Sequence, residues 1–128
     1  MSKVESSGKK VDLAKTKQNS SDPRNRDEAE SLLLDVTKRK PDYYRALYNL
    51  GLIYLDKNEP DKAVDVLRKA KKIRDQQNLP DNDGAIWNSL GWAYLNAGDL
   101  KHAEETLLDA YKRTDQNAPL TNERVLII

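Results

Sequence analysis

The side chains that could carry catalysis or bind a metal are few and lie far apart in this sequence. The chain has one histidine, His102, and no cysteine, so neither a zinc site nor a thiolate nucleophile is available. Residues 81–84 read Asp-Asn-Asp-Gly, like the start of a calcium loop, but Leu79 and Leu90 stand where acidic ligands belong. We interpret His102 as a surface residue and Asp83 as a helix cap, and we predict no catalysis, metal or other cofactor.

A dense basic stretch is the remaining candidate for recognition chemistry, with RNA or an acidic partner as its possible ligand. Its members are Arg68, Lys69, Lys71, Lys72 and Arg74. They flank the apolar residues Ala70 and Ile73, so a solvated outer helix face is the favoured interpretation. The whole chain balances 22 Lys and Arg against 21 Asp and Glu, which gives no general attraction to nucleic acid or an anionic membrane.

The composition is typical of one small, highly solvated domain. The chain has 128 residues, of which 38% are hydrophobic and 34% charged. No apolar run approaches the ~18 residues that a membrane helix needs, and the N-terminus lacks a secretory signal. We therefore expect a soluble, cytoplasmic protein.

Residues 1–21 contain very little apolar surface. After the initiator, the only apolar side chains are those of Val4, Val11, Leu13 and Ala14. Because burial of so few side chains does not offset the entropy of ordering, we predict a disordered polar tail over 1–21 and a folded domain over 22–128.

The rest of the sequence has helical periodicity. Apolar residues spaced by three, four and seven predict five amphipathic helices, at about 23–40, 42–57, 60–77, 85–97 and 99–113. Asp22 and Pro23 favour a helix start, while Asn58 and Gly98 suit the left-handed geometry at helix ends. Residues 121–128 are too few for an independently stable helix, and we expect a short C-terminal helix there that packs as an end cap.

Two of these helices carry nearly the same string. Residues 47–55 read Leu-Tyr-Asn-Leu-Gly-Leu-Ile-Tyr-Leu, and residues 87–95 read Trp-Asn-Ser-Leu-Gly-Trp-Ala-Tyr-Leu, forty positions later. Self-similarity at such a period predicts stacked helix pairs that share one core. The glycine in each string and the alanines of the following helix suit close helix approach.

The repeated positions resemble the tetratricopeptide repeat, a helix-turn-helix unit of about 34 residues. One unit offers Leu47, Leu50, Gly51, Tyr54, Ala63, Leu67 and Ala70, and the next offers Trp87, Leu90, Gly91, Tyr94, Ala103, Leu107 and Ala110. Upstream, the second helix of a preceding half unit is indicated by Ala29, Leu33, Val36 and Pro41. The resemblance implies an all-α, right-handed superhelix of antiparallel helix pairs, irregular where six extra residues separate Ile73 from Trp87.

In that family the first helix of each unit lines a concave groove that binds a peptide or helix of a partner protein. The resemblance therefore implies a non-catalytic protein-interaction module. Helical phase gives the groove residues as Arg45, Tyr48, Asn49, Leu52, Asn88, Ser89, Trp92 and Asn96. Aromatic and leucine side chains among them are candidate anchors, and the asparagines are candidate hydrogen-bond donors to the bound chain.

Three alternatives remain open. A specialised branch of the family clamps the C-terminal carboxylate of heat-shock chaperones, but here Arg45 and Asn49 face Ala85 and Ser89, which leaves the clamp incomplete. Open ends of the array could instead drive homo-oligomer formation, or the chain could be part of a longer array. The candidate open ends are the unpaired helix stripe Leu32, Leu33 and Val36, and the C-terminal residues Val125, Leu126, Ile127 and Ile128.

Overall fold

The computed structural model describes residues 7–18, 22–77 and 85–113, and within these ranges all regular structure is α-helical. The six helices are α1 (Ser7–Gln18), α2 (Pro23–Arg39), α3 (Tyr44–Asp56), α4 (Pro60–Gln77), α5 (Ala85–Asn96) and α6 (Leu100–Arg113). The bounds of α2 to α6 confirm the five helices predicted from periodicity. The candidate calcium loop at 81–84 and the predicted C-terminal cap at 121–128 lie outside the described residues.

Local sequence signals account for the ends of several helices. The Asp22 side chain accepts a hydrogen bond from the Arg24 amide at 2.9 Å, which caps α2 ahead of Pro23. Asn58 has a φ of 59° and Gly98 a φ of 86°, the left-handed geometry expected after α3 and α5. These two residues reverse the chain so that α4 and α6 fold back on their predecessors.

The helices form two rows. Each helix packs on the next, and α1, α3 and α5 also contact one another in order. The backbones of α2, α4 and α6, by contrast, do not approach one another in the described part of the chain. The helices therefore form an inner row of α1, α3 and α5 and an outer row of α2, α4 and α6. This arrangement is the all-α superhelix that the repeat implies.

Two glycines bring the paired helices close together. A Cβ on Gly51 would lie 2.5 Å from Leu67 Cγ, and a Cβ on Gly91 would lie 2.6 Å from Leu107 Cγ. Real Cβ atoms do not come this near another carbon, so an alanine at either position would force the facing leucine to shift. The structure thus gives the repeated Leu-Gly pair a steric role.

The N-terminal segment differs from its prediction. Residues 7–18 of the predicted disordered tail form α1, which packs on α2 and supplies the first helix of the half unit. Val11 and Ala14 are fully buried, and so are Leu33 and Val36 of α2. The predicted unpaired helix with an exposed stripe is therefore wrong, since Leu33 and Val36 are buried and Leu32 is packed at the edge of the core.

Charge contacts compensate for the small apolar area of α1. Lys10 of α1 pairs with Asp35 of α2. Lys17 of α1 places its Nζ 2.6 Å from Oε2 of Glu28, which is also on α2. Arg45 of α3 donates to Asp12 Oδ1 at 2.7 Å. Because ion pairs of this partly exposed kind contribute little individually, α1 relies on several of them together with its two buried apolar side chains.

Candidate partner-binding face

The row of α1, α3 and α5 presents one continuous side that the outer helices do not cover. Six of the predicted groove residues lie there, each half-buried or exposed and spaced by three or four positions along its helix. We call them the inner face: Arg45, Tyr48 and Leu52 of α3, and Ser89, Trp92 and Asn96 of α5. The structure therefore places residues up to 51 positions apart in the sequence on two adjacent helices of the inner row.

Arg45 is engaged by a carboxylate from this same chain. Its Nη2 lies 2.7 Å from Asp12 Oδ1, and the hydrogen bond to Asp12 raises the pKa of the Arg45 guanidinium above its ordinary value. The cation expected at one end of a carboxylate clamp thus already has a carboxylate partner. Sequence reasoning missed Asp12, because a contact across 33 positions has no local signature.

The two predicted asparagines lie beneath this face. Asn49 is 6% exposed and Asn88 is 4% exposed, so neither amide meets solvent as a groove contact would require. Asn49 Nδ2 donates to the Arg45 carbonyl at 2.7 Å, one turn earlier on α3. In this structure, Asn49 therefore stabilises the turn that carries Arg45.

The apolar part of the inner face is formed by Tyr48, Leu52 and Trp92, all half-buried. The Tyr48 ring stacks on Tyr44 with centroids 6.0 Å apart and planes within 8°. Trp92 Nε1 is buried and has no hydrogen-bond partner among the described residues, so this ring directs its polar edge inward. Its remaining ring surface is the largest apolar element that α5 offers at this face.

Arg74 is buried between two aromatic rings, unlike the rest of the basic stretch. It is 3% exposed, with its guanidinium carbon 5.3 Å from the Trp87 ring and 5.8 Å from the Tyr44 ring. Its Nη1 donates to Tyr44 Oη at 3.2 Å. The interpretation of Arg74 as a solvated residue is therefore wrong, because the start of α5 covers the end of α4 and offers π faces to the cation.

The other basic residues of α4 are exposed or half-buried. Lys69 pairs with Asp65 at 3.3 Å and Lys71 with Asp75 at 3.6 Å, each one turn away on α4. Arg68, Lys71 and Lys72 border a cleft of about 380 Å³ between α4, α5 and α6, whose opposite wall carries Glu105 and Asp109. Mixed charge in this cleft does not single out an anionic ligand.

His102 lies at the surface, as predicted. Its Nδ1 is 2.7 Å from Asp99 Oδ2, and its ring stacks on Tyr94 with centroids 5.1 Å apart. The His102 backbone amide donates to Asp99 and lowers the pKa of that carboxyl below its ordinary value. Asp99 thereby caps the first turn of α6.

The described residues gather no metal-binding cluster and form no membrane-spanning helix. No group of three His, Cys, Asp or Glu side chains is gathered as a metal site within residues 7–18, 22–77 and 85–113. None of the six helices combines the length and apolar character needed to cross a bilayer.

Comparison with known proteins supports the repeat reading. Two family models described as tetratricopeptide repeat match residues 22–78 and residues 84–117. Among solved structures, the N-terminal domain of stress-induced protein-1 (STI-1) from C. elegans is similar, with a TM-score of 0.72, 14% identity and 87% of each chain covered. A search of curated proteins gave no match. At 14% identity the structural likeness establishes the fold alone, and α1 lies outside both family matches.

Proposed function

Because the chain belongs to the tetratricopeptide repeat family and is thereby a protein-protein interaction module, we propose that its inner face binds a peptide or helix of a partner protein, without catalysis. The supporting observation is the cluster of half-buried Tyr48, Leu52 and Trp92 on adjacent inner helices. Rigid, partly exposed aromatic surface of this kind is enriched among residues that dominate binding energy.

Each residue of the inner face has a proposed role. Tyr48, Leu52 and Trp92 provide apolar anchors, while Ser89 and Asn96 hydrogen-bond the polar side of the bound chain. Arg45 orders the N-terminal edge of the face through its pair with Asp12. The buried Asn49 and Asn88 support the helices below the inner face. They contact the partner only if their side chains rearrange.

The test is affinity capture with matched variants of the full chain. Leu52→Asp and Trp92→Ala alter the inner face, whereas Leu108→Asp alters an exposed leucine of the outer helix α6. We expect the inner-face variants to lose a partner that wild type and Leu108→Asp both retain. With that partner purified, the loss corresponds to roughly a tenfold or greater increase in Kd.

Circular dichroism of each variant separates lost binding from lost folding. A folded Trp92→Ala and a folded Leu52→Asp that capture the same partner at wild-type affinity would contradict the proposal. Loss of the partner on Leu108→Asp alone would move the site to the outer row.

A second candidate is self-association through the C-terminal end of the array. Leu100 is 65% exposed and Leu108 is 52% exposed, so among the described residues α6 presents the most exposed large apolar side chains. Sedimentation of the full chain over a wide concentration range tests this candidate. A monomer at all concentrations contradicts it, and a dimer that Leu108→Asp dissociates supports it.

A further inference from the structure

We propose that the surface of α2 and α3 beneath α1 is a second docking surface, for a short helix of a partner protein, and that α1 is its exchangeable occupant. The bound helix has the pattern of residues 10–17, Lys-Val-Asp-x-Ala-x-x-Lys. Small apolar residues at the second and fifth positions meet the core, and the flanking charges meet α2 and α3. This docking surface lies at the N-terminal end of the array and shares only Arg45 with the inner face.

The steric part of the pattern follows from how α1 is packed. Val11 and Ala14 are its two buried side chains, three positions apart on one side of the helix. They cover the fully buried Leu33 and Val36 of α2. The surface therefore receives a helix with small apolar side chains, and it needs such a cover to keep its own apolar residues from water.

The electrostatic part of the pattern follows from three ion pairs that cross between helices. Lys10 pairs with Asp35, Lys17 with Glu28, and Asp12 with Arg45. The docking surface thus presents two carboxylates on α2 and one guanidinium on α3, a charge pattern complementary to the bound helix. Because all three pairs are partly exposed, salt weakens them and solvent can replace them.

A third observation distinguishes the occupant from its receptor. The tetratricopeptide repeat model that includes α2 and α3 begins at residue 22, so the receptor matches the family and α1 does not. A helix without the repeat signature thus completes the array by local complementarity. Any helix with the same complementary residues can compete with α1 for the docking surface. Because α1 is tethered to that surface by the chain, it is a strong competitor.

Exchange of α1 also changes the inner face. When α1 leaves, Arg45 loses Asp12 and becomes available to an acidic group of a partner, unless the incoming helix supplies an acid at the same position. The acid at the third position of the pattern is therefore the feature that decides whether docking leaves Arg45 paired.

The experiment uses the full chain and a fluorescein-labelled peptide with the sequence of residues 7–18. The double variant Lys10→Glu and Lys17→Glu reverses the two charges that face α2 and releases α1. We expect fluorescence anisotropy to show at least roughly tenfold tighter peptide binding by this variant than by wild type, because the tethered competitor has been removed. The affinity should fall as salt rises.

Two matched variants decide the interpretation. Lys15→Glu with Lys38→Glu makes the same change in net charge at exposed positions, and it should bind the peptide no better than wild type. Adding Asp35→Lys and Glu28→Lys to the released variant restores complementary charges to its own α1 and should exclude the peptide again. Equal peptide binding by the released variant and wild type, or by the released and control variants, would overturn the proposal.

A measurement on the unmodified chain keeps the proposal testable if the variants do not fold. Hydrogen exchange at low salt and at about 0.5 M salt should show loss of protection in residues 7–18 while α3 and α4 remain protected. Unchanged protection of residues 7–18 would overturn the proposal. Trp92→Ala, which tests the inner face, should leave peptide binding to the released variant unchanged.

Discussion

The helices α1 and α3 occupy equivalent places in the inner row but are held by different forces. α3 buries Leu47, Leu50 and Ile53 against its neighbours, each large side chain worth about 1.5–3 kcal/mol. α1 buries only Val11 and Ala14 and adds three partly exposed inter-helix ion pairs, each of which contributes little individually. A place in a helical array therefore does not require the repeat signature if the neighbouring helices supply the complementary surface.

The largest effect is expected at Trp87 of α5, which combines a buried ring with the cation–π contact to Arg74 of α4. Trp87 is almost fully buried between α4 and α5, so Trp87→Ala should lower the free energy of unfolding by about 3–5 kcal/mol. Urea denaturation followed by circular dichroism measures it. The loss should be similar at low and high salt, and Trp92→Ala, at a half-buried ring, should lose less than half as much. If the loss of unfolding free energy in Trp87→Ala disappeared at high salt, the distinction between an apolar later array and a charge-held α1 would be wrong.

A second prediction concerns the glycines of the two regions. Gly51→Ala places a Cβ against the fully buried Leu67, so overpacking should outweigh the helical gain and cost about 1–2 kcal/mol. Gly91→Ala should cost less, because Leu107 is half-buried and has room to move.

Gly8 provides the matched control on α1. The nearest atom to a Cβ there is Tyr43 Oη at 3.6 Å, which is ordinary contact. Gly8→Ala should therefore stabilise α1 by up to about 1 kcal/mol, because alanine lowers the conformational entropy of the unfolded chain and favours the helix. Thermal denaturation and hydrogen exchange measure the stability changes of the three glycine variants. Equal destabilisation by Gly8→Ala and Gly51→Ala would contradict the distinction between the two helices.

The apolar contribution to α1 is expected to be small and local. Val11→Ala removes two buried carbons and should weaken α1 docking by about 1–2 kcal/mol. Hydrogen exchange should show this loss in residues 7–18, with α4 unchanged. Spread of the loss across α3 and α4 would mean that α1 and the later repeats unfold as one unit.

The smallest effect is a dependence on pH. The hydrogen bond from Lys10 lowers the pKa of the Asp35 carboxyl below its ordinary value. A lowered pKa in the folded chain means that the pair stabilises α1 fully above the unfolded pKa of 3.8, and that this stabilisation is lost as pH falls through the folded value. Protection of residues 7–18 should therefore decline below about pH 4, as the model-compound pKa of Asp indicates.

Asp35→Asn is the control for this titration. This variant should lower the hydrogen-exchange protection of α1 at neutral pH. It should also remove the part of the decline in protection below about pH 4 that depends on Asp35. A decline of unchanged size in Asp35→Asn would assign the effect to other carboxyl groups of the chain.

Local signals made the five helices α2 to α6 predictable. Pro23 and Pro60 begin helices, Asn58 and Gly98 end turns in left-handed geometry, and apolar periodicity supplies the rest. The close contact at Gly51 was likewise predictable, because the repeat pairs each glycine with a large residue on the next helix. Within the described residues, the sequence therefore predicted most of the architecture correctly.

Features that depend on distant partners were not predictable. α1 has too few apolar residues to produce a helical signal, and its partners Asp35 and Arg45 stand more than twenty positions away. Arg74 looked solvated within α4, and only its packing beneath Tyr44 and Trp87 shows otherwise.

The inner face shows the same limit in the candidate site. Helical phase placed Arg45, Tyr48 and Asn49 on one side of α3, and the structure leaves the first two at the surface while burying the third. Neighbouring positions on a helix differ by 100° in direction, so the edge of a face is decided by which helix packs alongside. The contacts between these residues and a partner remain a prediction.

The separation of the outer helices has a mechanical consequence. Because the backbones of α2, α4 and α6 do not meet in the described part of the chain, changes in their spacing break no close backbone contact between them. The inner row, whose helices touch in order, then serves as the axis about which the array bends. A change in curvature should therefore alter the spacing of the outer helices more than that of the inner helices.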